Sequence, residues 1–276
     1  MSEILLKELD ADGVLTLTLN RPESKNSMNT HVSRLLMEAI RDAEIEPDVR
    51  VVVVTGAGGS FCSGGDFKNF GAVDPGDPLA IKWGKSPIWN DIELKTLRFM
   101  RGFEASRLLH EMGKPTIAMV RGPAVGAGVG LAACCDFRIA SETAYFLPGY
   151  IRVGISPDFG TSYFVAKLVG AAKAKELYML NDKIVAQQAA EIGLVNRVVA
   201  DSALEETTRE FARRLAKSPP VALRYTKEAF NAAEAQTLDE VMTLEARNFA
   251  RAFQTEDAKE AIRAVLEKRE PVFKGQ

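Results

Sequence analysis

Histidine is nearly absent from this chain: His31 and His110 are the only two. Each falls inside a helical pattern, where a surface or capping role is the plainer reading, so the sequence offers no histidine-based triad and no metal cluster. Cysteine is scarce as well. Cys62, Cys134 and Cys135 are an odd set, two of them adjacent, with no Cys-x-x-Cys pair, and adjacent cysteines rarely bridge each other. Free thiols in a reducing compartment are expected. A formal net charge of −2 supplies no global field for nucleic acid or anionic membrane. No apolar run approaches the ~20 residues of a membrane span. The start, MSEILLKELDADG, carries acids where a signal peptide needs a basic flank and an apolar core. These absences predict a cytoplasmic protein with neither membrane nor nucleic acid as partner.

What is present is a set of glycine clusters that follow apolar runs. Thr116 to Val120 reads as a strand feeding a small-residue turn, Gly122 to Gly130, which opens into the apolar segment Leu131 to Cys134. Glycine lets backbone approach a ligand closely, and the first amides of a helix have no intrahelical acceptor. An anion hook is therefore expected near Ala127. An earlier cluster, Ser60 to Asp66 (SFCSGGD), follows the buried run Val51 to Val54 and supplies a second candidate amide. Downstream, GISPDFGT places Asp158 between a proline and another glycine turn, on a loop before the helical segment Ser162 to Val169.

In chain order, Val14 to Leu19 (VLTLTL) alternates as a half-buried strand does and ends in the turn former Asn20-Arg21-Pro22. Asn29 is a plausible N-cap for a helix carrying Val32, Leu35, Leu36, Ala39, Ile40 and Ala43 at helical spacing until Pro47. The Val51 to Val54 run then completes a right-handed crossover in a parallel sheet. Gly71 to Glu93, with Trp83 and Trp89, reads as a loop or short-helix insertion. A helix from about Leu97 to Met112 leads to the Thr116 strand, and Phe137 to Ala140, Ala144 to Phe146 and Leu194 to Val199 read as further strands, the last after a helix at Ala186 to Glu191. From Ser202 the pattern is helical only, broken at Pro219-Pro220 and near Thr237.

Several residues have a bland reading that competes with a functional one. TGAGGSF begins like a dinucleotide fingerprint, but Phe61 stands at the third glycine position and no helix starts there. Ser63 and Ser156 read as turn hydroxyls. Asp66 and Asp136 read as carboxylates that cap backbone amides. For Asp158 the competing role is an Asx-turn or an N-cap of the next helix.

Four segments, NRPESKNSMN (20 to 29), SFCSGGDF (60 to 67), KPTIAMVRGPAVGAGVGLAACCDFRIA (114 to 140) and AAEIGLVNRVV (189 to 199), resemble in order and spacing the enoyl-CoA hydratase/isomerase, or crotonase, superfamily. The resemblance runs over nearly the whole chain. It implies an α/β fold, a crotonase-like ββα spiral core over residues 1–200 and a helical C-terminal trimerisation region over 201–276. The substrate it implies is an acyl-CoA thioester, coenzyme A entering as part of the substrate and no separate cofactor being needed. The implied assembly is a homotrimer or a dimer of trimers. By motif position, the amides of Gly65 and Ala127 match the family's oxyanion hole.

The acids separate family members. Hydratases carry glutamates at the positions matching Gly130 and Tyr150, and neither is a carboxylate here. Asp158 resembles the single acid of enoyl-CoA isomerases and of the aspartate isomerases of phenylacetate degradation. A lone carboxylate suits isomerisation, since it can take an allylic proton and return it elsewhere without activating water. The same position holds the nucleophile of 4-chlorobenzoyl-CoA dehalogenases, which pair it with a tryptophan at the place of Tyr150 and a histidine on the helix where this chain shows Phe103. Other acyl-CoA hydrolytic chemistry with Asp158 as nucleophile, an atypical hydratase and a non-catalytic acyl-CoA binder stay open beside these two. Trp83, Trp89, Phe99 and Phe103, with Tyr150 and Gly130, are the candidate acyl-pocket residues. Lys25, Ser63, Asp66, Lys268 and Lys274 are the candidate coenzyme A contacts, with Lys268, Arg269 or Lys274 reaching a phosphate. A lysine comb for RNA on the first helix is absent, since THVSRLLMEAIRDAEIEPD has more acids than bases.

Overall fold

Val51, Val52, Val53 and Val54 are each 3% exposed or less, and a run of β-branched residues buried on both faces belongs in the middle of a parallel sheet. The computed structural model describes residues 3–69 and 73–276; Gly71 and Ala72, at the start of the expected insertion, lie outside them. Among the described residues the main sheet has six strands. β1 (Leu5–Leu9) pairs antiparallel with β2 (Val14–Leu19), and then β2, β3 (Val51–Gly56), β4 (Thr116–Val120), β6 (Phe137–Ser141) and β9 (Arg197–Val199) run parallel. A smaller sheet joins β5 (Pro123–Val125), β7 (Tyr145–Leu147) and β8 (Ile184–Val185).

The two faces of β3 divide the core. Val52 and Val54 pack with Leu36 and Ile40 of α1 (Thr30–Ile45) and with Leu109 of the helix before β4. Val51 and Val53 join Ile117 and Ile139 against Leu204 and Ala212, which lie beyond residue 200. Helix α1 starts where Asn29 accepts the Val32 amide, as the cap residue predicts. Downstream lie α2 (Pro78–Trp83), α3 (Ile92–Glu111), α4 (Ala127–Ala133), α5 (Thr161–Val169), α6 (Ala171–Leu180) and α7 (Ala186–Glu191). The C-terminal helices are α8 (Leu204–Ala216), α9 (Pro220–Ala233), α10 (Leu238–Phe253) and α11 (Glu256–Glu267). Helix α8 lies on β2, β3, β4 and β6, so the packing of the core continues across residue 200.

The differences from the sequence expectations have local causes. Helix α3 begins at Ile92 rather than near Leu97 because Asp91 accepts the amides of Glu93 and Leu94. The expected strand from Leu194 shortens to β9, since the Leu194 and Val195 amides both return to Ala189 O. β5 sits inside the segment read as a turn; it is three residues long and held from both sides by neighbouring backbone. No helix among the described residues is long and apolar enough to cross a membrane.

Candidate active site

The glycine segment after β3 is laid alongside β5. Cys62 N donates to Pro123 O at 3.0 Å and Val125 N to Cys62 O at 2.9 Å. On the other side, Met28 N donates to Gly64 O at 2.7 Å and Asp66 N to Met28 O at 2.8 Å. These ladder bonds skip Gly65, whose N–H donates to no acceptor among the described residues. β5 ends at Gly126, where φ of 53° and ψ of −118° turn the chain into α4. The N–H of Ala127, first in that helix, is likewise without an acceptor among the described residues. The two segments touch: Gly64 has φ of 88°, and a Cβ there would lie 2.9 Å from Val125 O. The two free amides thus lie one residue beyond Gly64 and Gly126, on segments that are in contact.

Asp158 lies on the loop before α5, and its side chain does not cap that helix. The cap is Gly160, with no side-chain bond, and the Thr161 amide goes to the Asp158 carbonyl at 2.9 Å. The carboxylate instead accepts from the Tyr150 phenol, with 2.7 Å between Oη and Oδ1. Burial raises the Asp158 carboxyl above its ordinary value, while the Tyr150 bond and its own N–H oppose the rise. Its titratable neighbours are Tyr150, Tyr178 and Cys62, and burial keeps all three neutral; the Cys62 thiol is pushed up to about 12. No cation pairs with Asp158 among the described residues. Tyr150 links the two halves of the site, since a Cβ on Gly126 would stand 3.9 Å from its Cζ.

Gly130 lies inside α4 beneath this loop. A Cβ there would meet Thr161 Oγ1 at 2.6 Å and Phe159 Cβ at 3.0 Å. Thr161 Oγ1 donates to the Asp158 carbonyl and lies 3.2 Å from the Tyr150 phenol. Phe159 has φ of 51°, a conformation that a bulky residue adopts only when its surroundings enforce it, and its ring lies 5.0 Å from that of Phe103. Phe99 stacks on Phe103 at 6.1 Å, and Gly102 between them leaves open space where a Cβ would stand. Behind Tyr150, a cavity of about 330 Å³ is lined by Tyr178, Val165 and Ala174. A larger one, about 500 Å³, lies between α9 and α10 beside Ala232 and Arg247 and includes none of these residues.

The other candidates are scattered. Trp89 carries the Arg98 guanidinium over its ring at 3.9 Å, and no contact joins it to Asp158. Lys25 is exposed, and its carbonyl accepts the Ser63 amide, so it borders the segment leading to Gly65. Ser63 Oγ donates to Ser24 O, a turn role. Asp66 is 7% exposed and is occupied by Arg21 at 2.8 Å and by Asn69; burial pushes its carboxyl up, but those bonds hold it below its usual range. Lys268 ends α11 with φ of 53°. The structure does not bring Lys274 to the site within one chain. Its amide goes to Asp257, and Gly275 lies beside Arg50, before β3, whereas the site follows the far end of that strand, ~17 Å away at ~3.3 Å per residue. Thr161 and Arg21 are site residues that the sequence does not single out. Thr161 has a signal, a hydroxyl three residues after the loop acid; Arg21 has none beyond the turn it occupies.

A family model for enoyl-CoA hydratase/isomerase matches residues 10–276. The chain belongs to that family. It is 36% identical over 277 residues to 1,2-epoxyphenylacetyl-CoA isomerase of Escherichia coli, with all of each chain covered. It is 34% identical to short-chain-enoyl-CoA hydratase of Clostridium acetobutylicum, over 95% of this chain and 94% of that one. Among solved structures, enoyl-CoA hydratase from Bacillus anthracis superposes with a TM-score of 0.89 at 29% identity, over 99% of this chain and 100% of the other. The fold is thus the crotonase-like α/β spiral with a helical C-terminal region, and the protein is an acyl-CoA-binding enzyme of the hydratase/isomerase family. Its relatives are named for both reactions, so membership alone does not choose between them.

Proposed function

We propose that this family member moves a carbon–carbon double bond in an enoyl-CoA thioester, with Asp158 as the only acid/base group. The thioester oxygen lies between the amides of Gly65 and Ala127. The Asp158 carboxylate takes a proton from the carbon next to the thioester of a 3-enoyl-CoA. The electron pair left at C2 delocalises onto the thioester oxygen on one side and through the C3–C4 double bond onto C4 on the other, giving a dienolate held by the two amides, each such donor being worth ~3–4 kcal/mol of barrier. Protonated Asp158 then delivers its proton to C4, the double bond settles between C2 and C3, and the carboxylate is regenerated. Phe103, Phe99 and Phe159, with the space beside Gly102, form the acyl wall. Lys25 lies near enough to the Gly65 segment for a coenzyme A contact, and the exposed apolar residues of α9 to α11 are covered in a trimer or a dimer of trimers.

The observation that carries this reading is the filled space over Gly130. A glutamate at 130, which hydratases use, has no room for even its Cβ beneath Thr161 and Phe159, and Tyr150 contributes a phenol where the second glutamate would stand. Between these two positions stands one half-buried carboxylate, Asp158, bonded to no cation and capping no helix.

Incubation with a 3-enoyl-CoA should give the 2-enoyl isomer, and a 2-enoyl-CoA should yield little 3-hydroxyacyl-CoA. Asp158→Asn should abolish turnover and keep acyl-CoA affinity. Rapid hydration that survives Asp158→Asn overturns the reading. Chloride release from a 4-chlorobenzoyl thioester, with solvent oxygen-18 first entering Asp158, replaces it with nucleophilic catalysis.

A further inference from the structure

We infer that Tyr150 is a positioning residue that pins Oδ1 of Asp158 and leaves Oδ2 as the single oxygen that both takes and returns the proton. This rests on the isomerase reading above. The geometry is one-sided: the phenol reaches Oδ1 at 2.7 Å, and no other residue among those described donates to Oδ2. The rest of the loop is fixed as well, since the Thr161 amide and hydroxyl both go to the Asp158 carbonyl rather than to its carboxylate. Tyr150 is itself closely packed, 4% exposed and stacked on Tyr178 with ring centroids 6.1 Å apart. Its neighbours on α6 and under the loop, Tyr178 and Cys62, are uncharged, so no competing ion can reorient the carboxylate.

A carboxylate gripped at one oxygen cannot flip between its two oxygens during the life of the dienolate. The proton taken by Oδ2 therefore stays on Oδ2, over one face of the substrate, and is handed to C4 from that face. A freely rotating carboxyl group presents its proton to solvent through either oxygen and exchanges more of it. In deuterated water the intact enzyme should carry most of the abstracted hydrogen into the product, delivered to one face.

Tyr150→Phe keeps the ring and removes the bond. A hydrogen bond to a charged acceptor is of a size that moves a carboxyl group by about one pH unit, and the phenol favours the ionised form, so its loss raises the acidic limb of the kcat profile by about that much. The variant should also incorporate severalfold more deuterium at C4 and lose turnover with KM little changed. Installing 3-fluorotyrosine at 150, a stronger donor of nearly the same shape, should move the same limb down. A packing role for Tyr150 predicts no dependence on donor strength. An acidic limb and a deuterium content that are the same with tyrosine, phenylalanine and fluorotyrosine overturn the inference. Asp158→Asn read alongside separates the two claims: isomerisation retained there defeats the single-base reading, whereas isomerisation lost there with an unmoved Tyr150→Phe profile defeats only the role of Tyr150.

Discussion

Replacing Gly130 with alanine sets helix propensity against packing at a single atom. Alanine is favoured over glycine inside a helix by about 1 kcal/mol, and Gly130 is an interior residue of α4. The new Cβ, however, meets Thr161 Oγ1 at 2.6 Å and Phe159 Cβ at 3.0 Å. Thr161 is fully buried, β-branched and stiff, and its hydroxyl donates to the Asp158 carbonyl, so it cannot swing aside without breaking that bond. Overpacking of this kind costs ~1–3 kcal/mol and the broken hydrogen bond ~1 more, which leaves a net loss of ~1–3 kcal/mol after the propensity gain. At ~2 °C per kcal/mol for a large domain, the melting midpoint should fall by ~2–6 °C at matched protein concentration. Gly102→Ala in α3 is the internal control, because nothing stands within 4 Å of its Cβ; propensity acts alone and the midpoint should rise by ~2 °C. Calorimetry on both variants reads the signs directly. Turnover of Gly130→Ala should also fall by up to ~100-fold, the scale for a reacting group displaced by about 1 Å. A Gly130→Ala midpoint at or above that of the parent would refute the claim that this space is filled.

Removing Asp66 leaves the half-buried Arg21 guanidinium without its carboxylate, so Asp66→Ala should cost ~3–5 kcal/mol in denaturant titration. Because Asn69 and Arg21 hold the Asp66 carboxyl low, its contribution is complete above the ordinary carboxylate range and is lost as pH falls through the lower folded value; the variant should lack that acid-sensitive component. Asp158 has the opposite sign. Its carboxyl is raised by burial, so ionisation costs stability above the ordinary value of 3.8 and the cost is complete once pH exceeds the folded value. Asp158→Asn should therefore melt higher than the parent at neutral pH, with the gain shrinking towards pH 3.8, and an unchanged midpoint across that range contradicts a half-buried carboxylate with no cation beside it. Phe230, Phe249 and Leu266 are more than 70% exposed on the C-terminal helices, and sedimentation should give a trimer or hexamer that Phe249→Glu weakens; a monomer contradicts that assembly.

The parallel core was legible because its signals are local. Four consecutive valines, the Asn29 cap and the proline that starts α9 each act within a few residues, and each appears where the pattern puts it. Short elements held by neighbours were not legible. β5 is three residues whose partners lie near positions 62 and 145, and β1 has only Leu5 buried, so neither leaves a periodic trace. At the site, glycine spacing pointed to the segments that carry the two free amides, and the loop composition singled out Asp158. What the sequence could not reveal was which polar atom each residue faces. The same Asp158 in the same loop has a helix cap as its bland role, and only the placement of Tyr150 and Thr161 shows that its carboxylate faces elsewhere.

If Asp158 is the single base proposed above, its neighbours need to be uncharged. Burial alone already drives the Asp158 carboxyl upward, and a second carboxylate at position 130 would add like-charge repulsion to the same group. The two effects act in the same direction, and a carboxyl group that is protonated cannot abstract a proton. Filling the space over Gly130 with the Thr161 hydroxyl, and meeting Oδ1 with a phenol that stays neutral, removes the repulsion and partly offsets the burial. Under the single-base proposal, these neighbours leave the ionised carboxylate without like-charge opposition, while its partial burial raises its basicity. Gly130→Glu introduced with Thr161→Gly to make room should raise the acidic limb of the isomerase profile, and fast hydration with no such rise would show that the second carboxylate had been accommodated without disabling the first.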